Sequence, residues 1–236
     1  MNHKFKDGFT LLEISIVLVI IALIVGGIIA GQSLIRSAEV NATLTEIEQY
    51  QTAVDTFTTK YQEIPGDMSD ASSYWPTCDA TPANCNGDGD QAIDDTLSWF
   101  HLSLAEMIAE TYGIISSTPI PGEDIPESSI ENAGFGLTYG FPYAKIGNYF
   151  VLNRSRSNGT LEGALNSVES AAIDEKVDDG FAATGQALFI NEMSSAGSWE
   201  TSGCVNGGDL LAAPSAITWD LTNDSDENCI MIYYLN

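Results

Sequence analysis

The sequence predicts an α+β fold, in which a long N-terminal α-helix packs on a head with an antiparallel β-sheet. Three observations carry that expectation. From Ile14 to Ala30 the chain is apolar except for Ser15, Gly26 and Gly27. An apolar stripe at helical spacing follows directly. Beyond residue 66, short runs that alternate apolar with small or polar residues take over.

The elements follow in chain order. Residues 1–8 are short and polar, with Lys4 and Lys6. The apolar run behind them is long enough to cross a bilayer as a helix, and the two lysines hold its start on the cytoplasmic side. The head then faces the periplasm or the outside. Val40, Leu44, Ile47, Tyr50, Val54, Phe57, Tyr61 and Ile64 recur every three or four residues, as on the buried face of a soluble helix. Pro65-Gly66-Asp67 ends that pattern. One helix is therefore expected over 9–64, about 84 Å long at about 1.5 Å per residue. Its 9–31 portion is the transmembrane or bundled part, and 32–64 is amphipathic. The globular head is 65–236.

Within the head, 67–96 is rich in Asp, Ser, Thr, Pro and Gly and reads as an ordered loop. Leu97, Phe100, Leu104, Met107 and Ile108 predict a second helix over 96–113. Pro119, Pro121 and Pro126 make 116–132 a loop. Phe135, Leu137, Tyr139 and Phe141 alternate with Gly136, Thr138 and Gly140, which predicts a strand. Residues 149–153, 186–191 and 230–235 are further strands. Residues 161–177 read as helix, turning at Asp178-Asp179-Gly180.

Composition bounds the function. The 236 residues include 33 Asp and Glu against 8 Lys and Arg, a net charge of -25. Phosphates are held by clustered Lys and Arg, so nucleic acid is excluded as a primary partner. Hydrophobic residues make up 44% of the chain, enough to build a core. Four Cys suit two disulfides in an oxidising compartment. Of the three possible pairings, Cys78–Cys85 and Cys204–Cys229 each close a loop within one segment. Zinc does not suit these spacings. Nor does an enzyme suit the sequence. Gly-x-Ser-x-Gly, P-loop and dinucleotide fingerprints are absent, and His101, beside Trp99, Phe100 and Leu102, reads as a core histidine.

The N-terminus carries a more specific signal. Lys6-Asp7-Gly8-Phe9-Thr10-Leu11-Leu12-Glu13, followed by the apolar helix, resembles the class III signal of type IV pilins and type II secretion pseudopilins. The resemblance implies a pilin fold, a leader of residues 1–8, and a prepilin peptidase that cuts between Gly8 and Phe9 and N-methylates Phe9. It also implies an inner-membrane assembly platform, other pilin-like subunits, and a helical homopolymer of this chain, extracellular or periplasmic once assembled. Glu13 has a physical role in that picture. A carboxylate unpaired in the membrane is costly, and in a bundle it can meet the amino group of Phe9 on a neighbour. The mid-helix Pro of many pilins is missing. Gly26, Gly27 and Gly31 are the weak points at which melting on assembly is expected.

Two acidic segments suggest a cation. The run from Asn86 to Asp95 resembles a calcium loop, with oxygen donors at Asn86, Asp88 and Asp90 and a backbone carbonyl at Ala92. Ile93 stands where such loops place an apolar anchor. Gln91 replaces the turn glycine, and Leu97 occupies the position of the final Glu, so Asp94 or Asp95 completes the shell. The second segment is Asp220, Asn223, Asp224, Asp226 and Glu227, with irregular spacing. Major pseudopilins are similar in holding calcium in a late loop. The functional expectation is a structural filament subunit. The alternatives are a minor, tip-located subunit that initiates assembly or binds a target, and a membrane-anchored calcium-binding domain that never polymerises.

Overall fold

The computed structural model describes residues 10–76, 78, 85–115, 118–140, 145–155, 161–191, 203–206, 217–222 and 226–235. The chain divides into two compact units, Met1–Ala42 and Thr43–Asn236.

Helix α1, Leu11–Tyr61, runs through the first unit and into the second. In the first unit it meets the length and hydropathy of a membrane-crossing helix, with mean hydropathy 3.0 over its most apolar window. Its apolar side chains there are exposed, Leu11 at 91% and Leu34 at 74%. No Pro interrupts the segment, and the helix is continuous through Gly26, Gly27 and Gly31.

In the second unit α1 becomes the spine of the head. Ile47, Val54 and Phe57 of the expected stripe are fully buried, joined by Thr43 and Ala53. Tyr50 stands edge-on to Trp99 and Phe135, with ring centroids 5.1 and 5.3 Å away. Two polar ties pin the helix to the loop that precedes β1, Ala133–Gly140. The Thr43 and Ser128 hydroxyls share a buried hydrogen bond of 2.9 Å, and the Ser129 hydroxyl donates to Glu46 at 2.7 Å. The helix stops at Tyr61 rather than at 64, because Gln62 adopts a left-handed conformation at φ 61°.

Among its described residues, the loop expected over 67–96 contains one short helix, α2, Ala71–Tyr74. The second expected helix is shorter than its apolar spacing suggested. Helix α3 is Ser98–Leu104, and Glu106 at φ 56° ends the turn that follows it. Ser103 explains part of the change. Its hydroxyl sits on the Phe100 and Tyr112 carbonyls and draws the outgoing chain back along the helix.

The sheet is five-stranded and antiparallel. Its strands are β1, Ala133–Gly140; β2, Gly147–Ser155; β3, Leu161–Glu162; β4, Ala187–Asn191; and β7, Cys229–Tyr234. The order is β1-β2-β7-β4, with β3 paired to β2. Two-residue strands β5, Val205–Asn206, and β6, Thr218–Trp219, make a second small sheet that the sequence reading did not anticipate.

Register explains the burial. Phe135 opposes Leu152 and Leu137 opposes Phe150, so these four share one face, the face Tyr50 covers. Phe189 opposes Met231 in the same row, and Trp219 packs on it at 5.3 Å. Strand β4 is buried at every residue. Helix α4, Ser167–Val177, contacts β4 and β7. It starts six residues later than the expected 161. Residues 161–162 join the sheet instead, and Gly163 passes so close to the Glu227–Cys229 backbone that a Cβ would lie 2.4 Å from it. Asn166 then caps the helix in a reciprocal box with Glu169.

Candidate functional site

Two regions carry candidate function: the start of α1 and the acidic turns of the head. Gly8 and Phe9 lie outside the described residues. Thr10 and Glu13 form a capping box at the first turn of α1. The Glu13 carboxylate accepts from the Thr10 amide at 2.8 Å and the Thr10 hydroxyl at 2.9 Å, and the Thr10 hydroxyl accepts from the Glu13 amide at 3.2 Å. These bonds come from neutral groups, so Glu13 is hydrogen-bonded but not paired with an opposite charge. Its own helix terminus supplies donors and a favourable dipole.

Around that turn lies the exposed apolar surface. Leu11, Leu12, Ile14, Ile16, Val17 and Leu18 open a run that continues to Ile29. An apolar surface of that extent is stable only against lipid or protein.

The acidic loop is organised by a residue the sequence reading used only as a helix stop. Asp67, 4% exposed, sits in the turn after α1. One carboxylate oxygen accepts from the Gly89 amide at 2.7 Å and the Asp90 amide at 3.0 Å, and the other accepts from the Gln91 amide at 2.7 Å. The 86–95 loop therefore wraps around it. Gln91 takes the left-handed conformation expected of a turn glycine, with φ 70°. Gly87 is required by the approach: a Cβ there would lie 2.3 Å from the Asp67 carbonyl carbon.

Asp67, Asp88 and Asp90 each offer an oxygen within 4.8 Å of the others, an arrangement that could hold a metal ion. Asp88 and Asp90 each spend one oxygen on the backbone amide two residues ahead. Asn86 is engaged elsewhere, accepting from the Ser72 amide at 2.9 Å. Asp94 caps its own turn through the Thr96 amide and hydroxyl, and neither Asp94 nor Asp95 joins the three. Ile93, the expected anchor, is buried, and its amide donates to Asn148 at 2.9 Å. Residues 88 and 90 were legible from the loop pattern. Asp67 was not, because no local spacing links it to a segment more than twenty residues away.

The late acidic segment is described only in part. Asn223 and Asp224 lie outside the described residues. Asp220 accepts from the Thr222 hydroxyl at 2.6 Å, which holds its carboxyl below the usual range, and Glu227 pairs with Arg154.

Both expected disulfides are present, Cys78–Cys85 with Cα atoms 6.1 Å apart and Cys204–Cys229 with Cα atoms 4.9 Å apart. His101 is a satisfied core residue. Its Nδ1 accepts from the Gly66 amide at 2.9 Å, which leaves Nε2 to donate to the Cys85 carbonyl at 2.7 Å. The ring thus joins α3, the turn after α1 and the first disulfide.

Comparison with known proteins matches the start of the chain. Residues 4–29 fit the family model of the prokaryotic N-terminal methylation motif. The chain carries the class III prepilin signal of type IV pilins and pseudopilins. With the long apolar helix and the antiparallel sheet behind it, that motif supports a pilin-like structural subunit with a membrane-anchoring helix. No curated protein and no solved structure matches the chain.

Proposed function

We propose that this chain is a structural subunit of a type IV pilus-like or type II secretion pseudopilus filament. A prepilin peptidase cuts between Gly8 and Phe9 and methylates Phe9. The subunit waits in the inner membrane with its head in the periplasm, and the assembly platform then draws α1 into a bundle with other copies or other pilin-like subunits. The observation that carries this reading is the methylation motif lying on a helix whose apolar side chains are exposed from Leu11 onward.

Glu13 supplies register. In the free subunit its carboxylate is held by Thr10. In the bundle it exchanges those bonds for the Phe9 amino group of a neighbour. A subunit placed out of register would bury both charges alone, which costs several kcal/mol. Glu13→Ala is therefore inserted and cut like wild type yet enters sheared fibres poorly. Wild-type incorporation would refute the pairing. Intact mass tests processing: a surface form that begins at methylated Phe9 supports the filament, and an uncut form confined to membranes supports an anchored domain.

A second reading is a minor, tip-located subunit. The size of the head, expected over 65–236, favours it over a densely packed shaft. Copy number in sheared fibres separates the two. In either case, Asp67, Asp88 and Asp90 would bind calcium and hold the 86–95 loop against the end of α1.

A further inference from the structure

A second acidic constellation lies at the C-terminal end of α4, in a segment that neither the filament nor the loop after α1 uses. Asp174 in the last turn of α4, Asp178 at its C-cap and Asp179 just beyond each offer a carboxylate oxygen within 4.8 Å of the others. Asp174 is 0% exposed, and neither of its carboxylate oxygens has a hydrogen-bond partner among the described residues. A buried carboxylate without a donor is among the costliest groups a fold can contain. One turn earlier on the same helix, the Ser170 hydroxyl is also buried and unpartnered. The helix end aggravates the cost, because its free carbonyls already carry negative partial charge.

The surrounding loop is built to hold these carboxylates together. One oxygen of Asp178 accepts from the Gln186 and Ala187 amides. Gly185, at φ 83°, lets the chain close on that carboxylate; a Cβ there would lie 1.7 Å from it. Asp179 accepts from the Phe181 amide at 2.9 Å and the Thr184 hydroxyl at 2.6 Å. The amides thus orient Asp178 and Asp179, while both oxygens of Asp174 remain uncommitted.

We propose that Asp174, Asp178 and Asp179 form a calcium site at the C-terminal end of α4. Oxygens no more than 4.8 Å apart fit around an ion whose ligands lie at about 2.3–2.6 Å. Three clustered carboxylates favour calcium over magnesium, which keeps most of its waters and binds through one or two carboxylates. The ion supplies the positive charge that Asp174 lacks. The site strengthens the join between α4 and β4, since Asp178 and Ala187 meet there.

The test is equilibrium dialysis of calcium alone against the full chain in detergent, after chelation. Wild type is compared with Asp174→Asn, Asp179→Asn and, as a control, Asp90→Asn from the first cluster. Asp174→Asn and Asp179→Asn are each expected to bind one calcium fewer per chain than wild type. The double variant Asp174→Asn/Asp90→Asn is expected to bind no more than Asp174→Asn does. Thermal unfolding adds a readout that a purely structural role would not give. Asp174→Asn removes the unpartnered charge, so without calcium it melts no lower than wild type, yet calcium raises its Tm less. Wild-type calcium stoichiometry in Asp174→Asn overturns the site. Should that variant not fold, Asp179→Asn, at an exposed position, decides alone by the same criterion. Failure here leaves the cluster at Asp67 untouched, because no ligand is shared.

Discussion

A single histidine shows how much one residue determines in this head. His101 is fully buried and must be neutral to accept from Gly66 through Nδ1. Burial holds its pKa below the ordinary 6.5, while the Cys85 carbonyl, Asp94 and Glu63 pull it upward. Its folded pKa is therefore depressed. The unfolded chain binds more protons below pH 6.5, so stability is retained above that value and lost as pH falls through it. Measured by chemical unfolding between about pH 7 and pH 5, wild type should lose more stability than His101→Gln, which does not titrate. Equal slopes would mean that the ring titrates alike in the folded and unfolded states, so that burial does not depress its pKa. Asp67 is the second decisive residue. Asp67→Ala strands three backbone amides and should cost about 2–4 kcal/mol. Asp67→Asn keeps one acceptor and should cost less. His101 could be read in advance as a core residue from its aromatic neighbours. Its partners could not, since Gly66 and Cys85 are 35 and 16 residues away.

At the scale of elements, the sequence was most informative where one period persisted. The stripe from Val40 to Tyr61 kept its spacing over six turns, and α1 buries Ile47, Val54 and Phe57 as that spacing requires. Phe57, which has no exposed surface, stacks against Trp75 and meets the Tyr61 ring at a tilt. Phe57→Ala should therefore lower stability by about 3–5 kcal/mol, seen as a fall in the unfolding midpoint. The alternation that starts at Phe135 marked the strand at 133–140, and residues 149–153, expected as strand, lie within 147–155. Short elements were not legible. Strands β5 and β6 contain two residues each, too few for any period; Asn191 holds β5 in place by bonding both the amide and the carbonyl of Val205. Helix α4 was found but started too early, because apolar residues 161 and 165 fit a helical repeat while serving the sheet. Its true start is chemical. Asn166→Ala removes the capping box and should cost about 0.5–2 kcal/mol. An unchanged midpoint would show that tertiary contacts alone set the helix start.

For the whole molecule, the governing quantity is charge. A net charge of -25 on 236 residues makes the compact head repel itself. Two structural answers follow from that excess, and they differ in salt dependence. Diffuse repulsion is relieved by any electrolyte once the screening length falls to about 10 Å, near 0.1 M salt. Carboxylates converging within 4.8 Å, as Asp67, Asp88 and Asp90 do, are relieved far more by one divalent ion held between them. Calcium too dilute to alter ionic strength should therefore raise the melting temperature of the chelated chain and protect residues 78–96 from protease. Sodium chloride at the same ionic strength should do neither. Asp90→Asn should abolish the protease protection while keeping the response to high salt, because it removes a ligand but only one charge among 33. If sodium chloride reproduced both effects of calcium, the acidic loop would be a solvated turn and its stability a matter of screening alone.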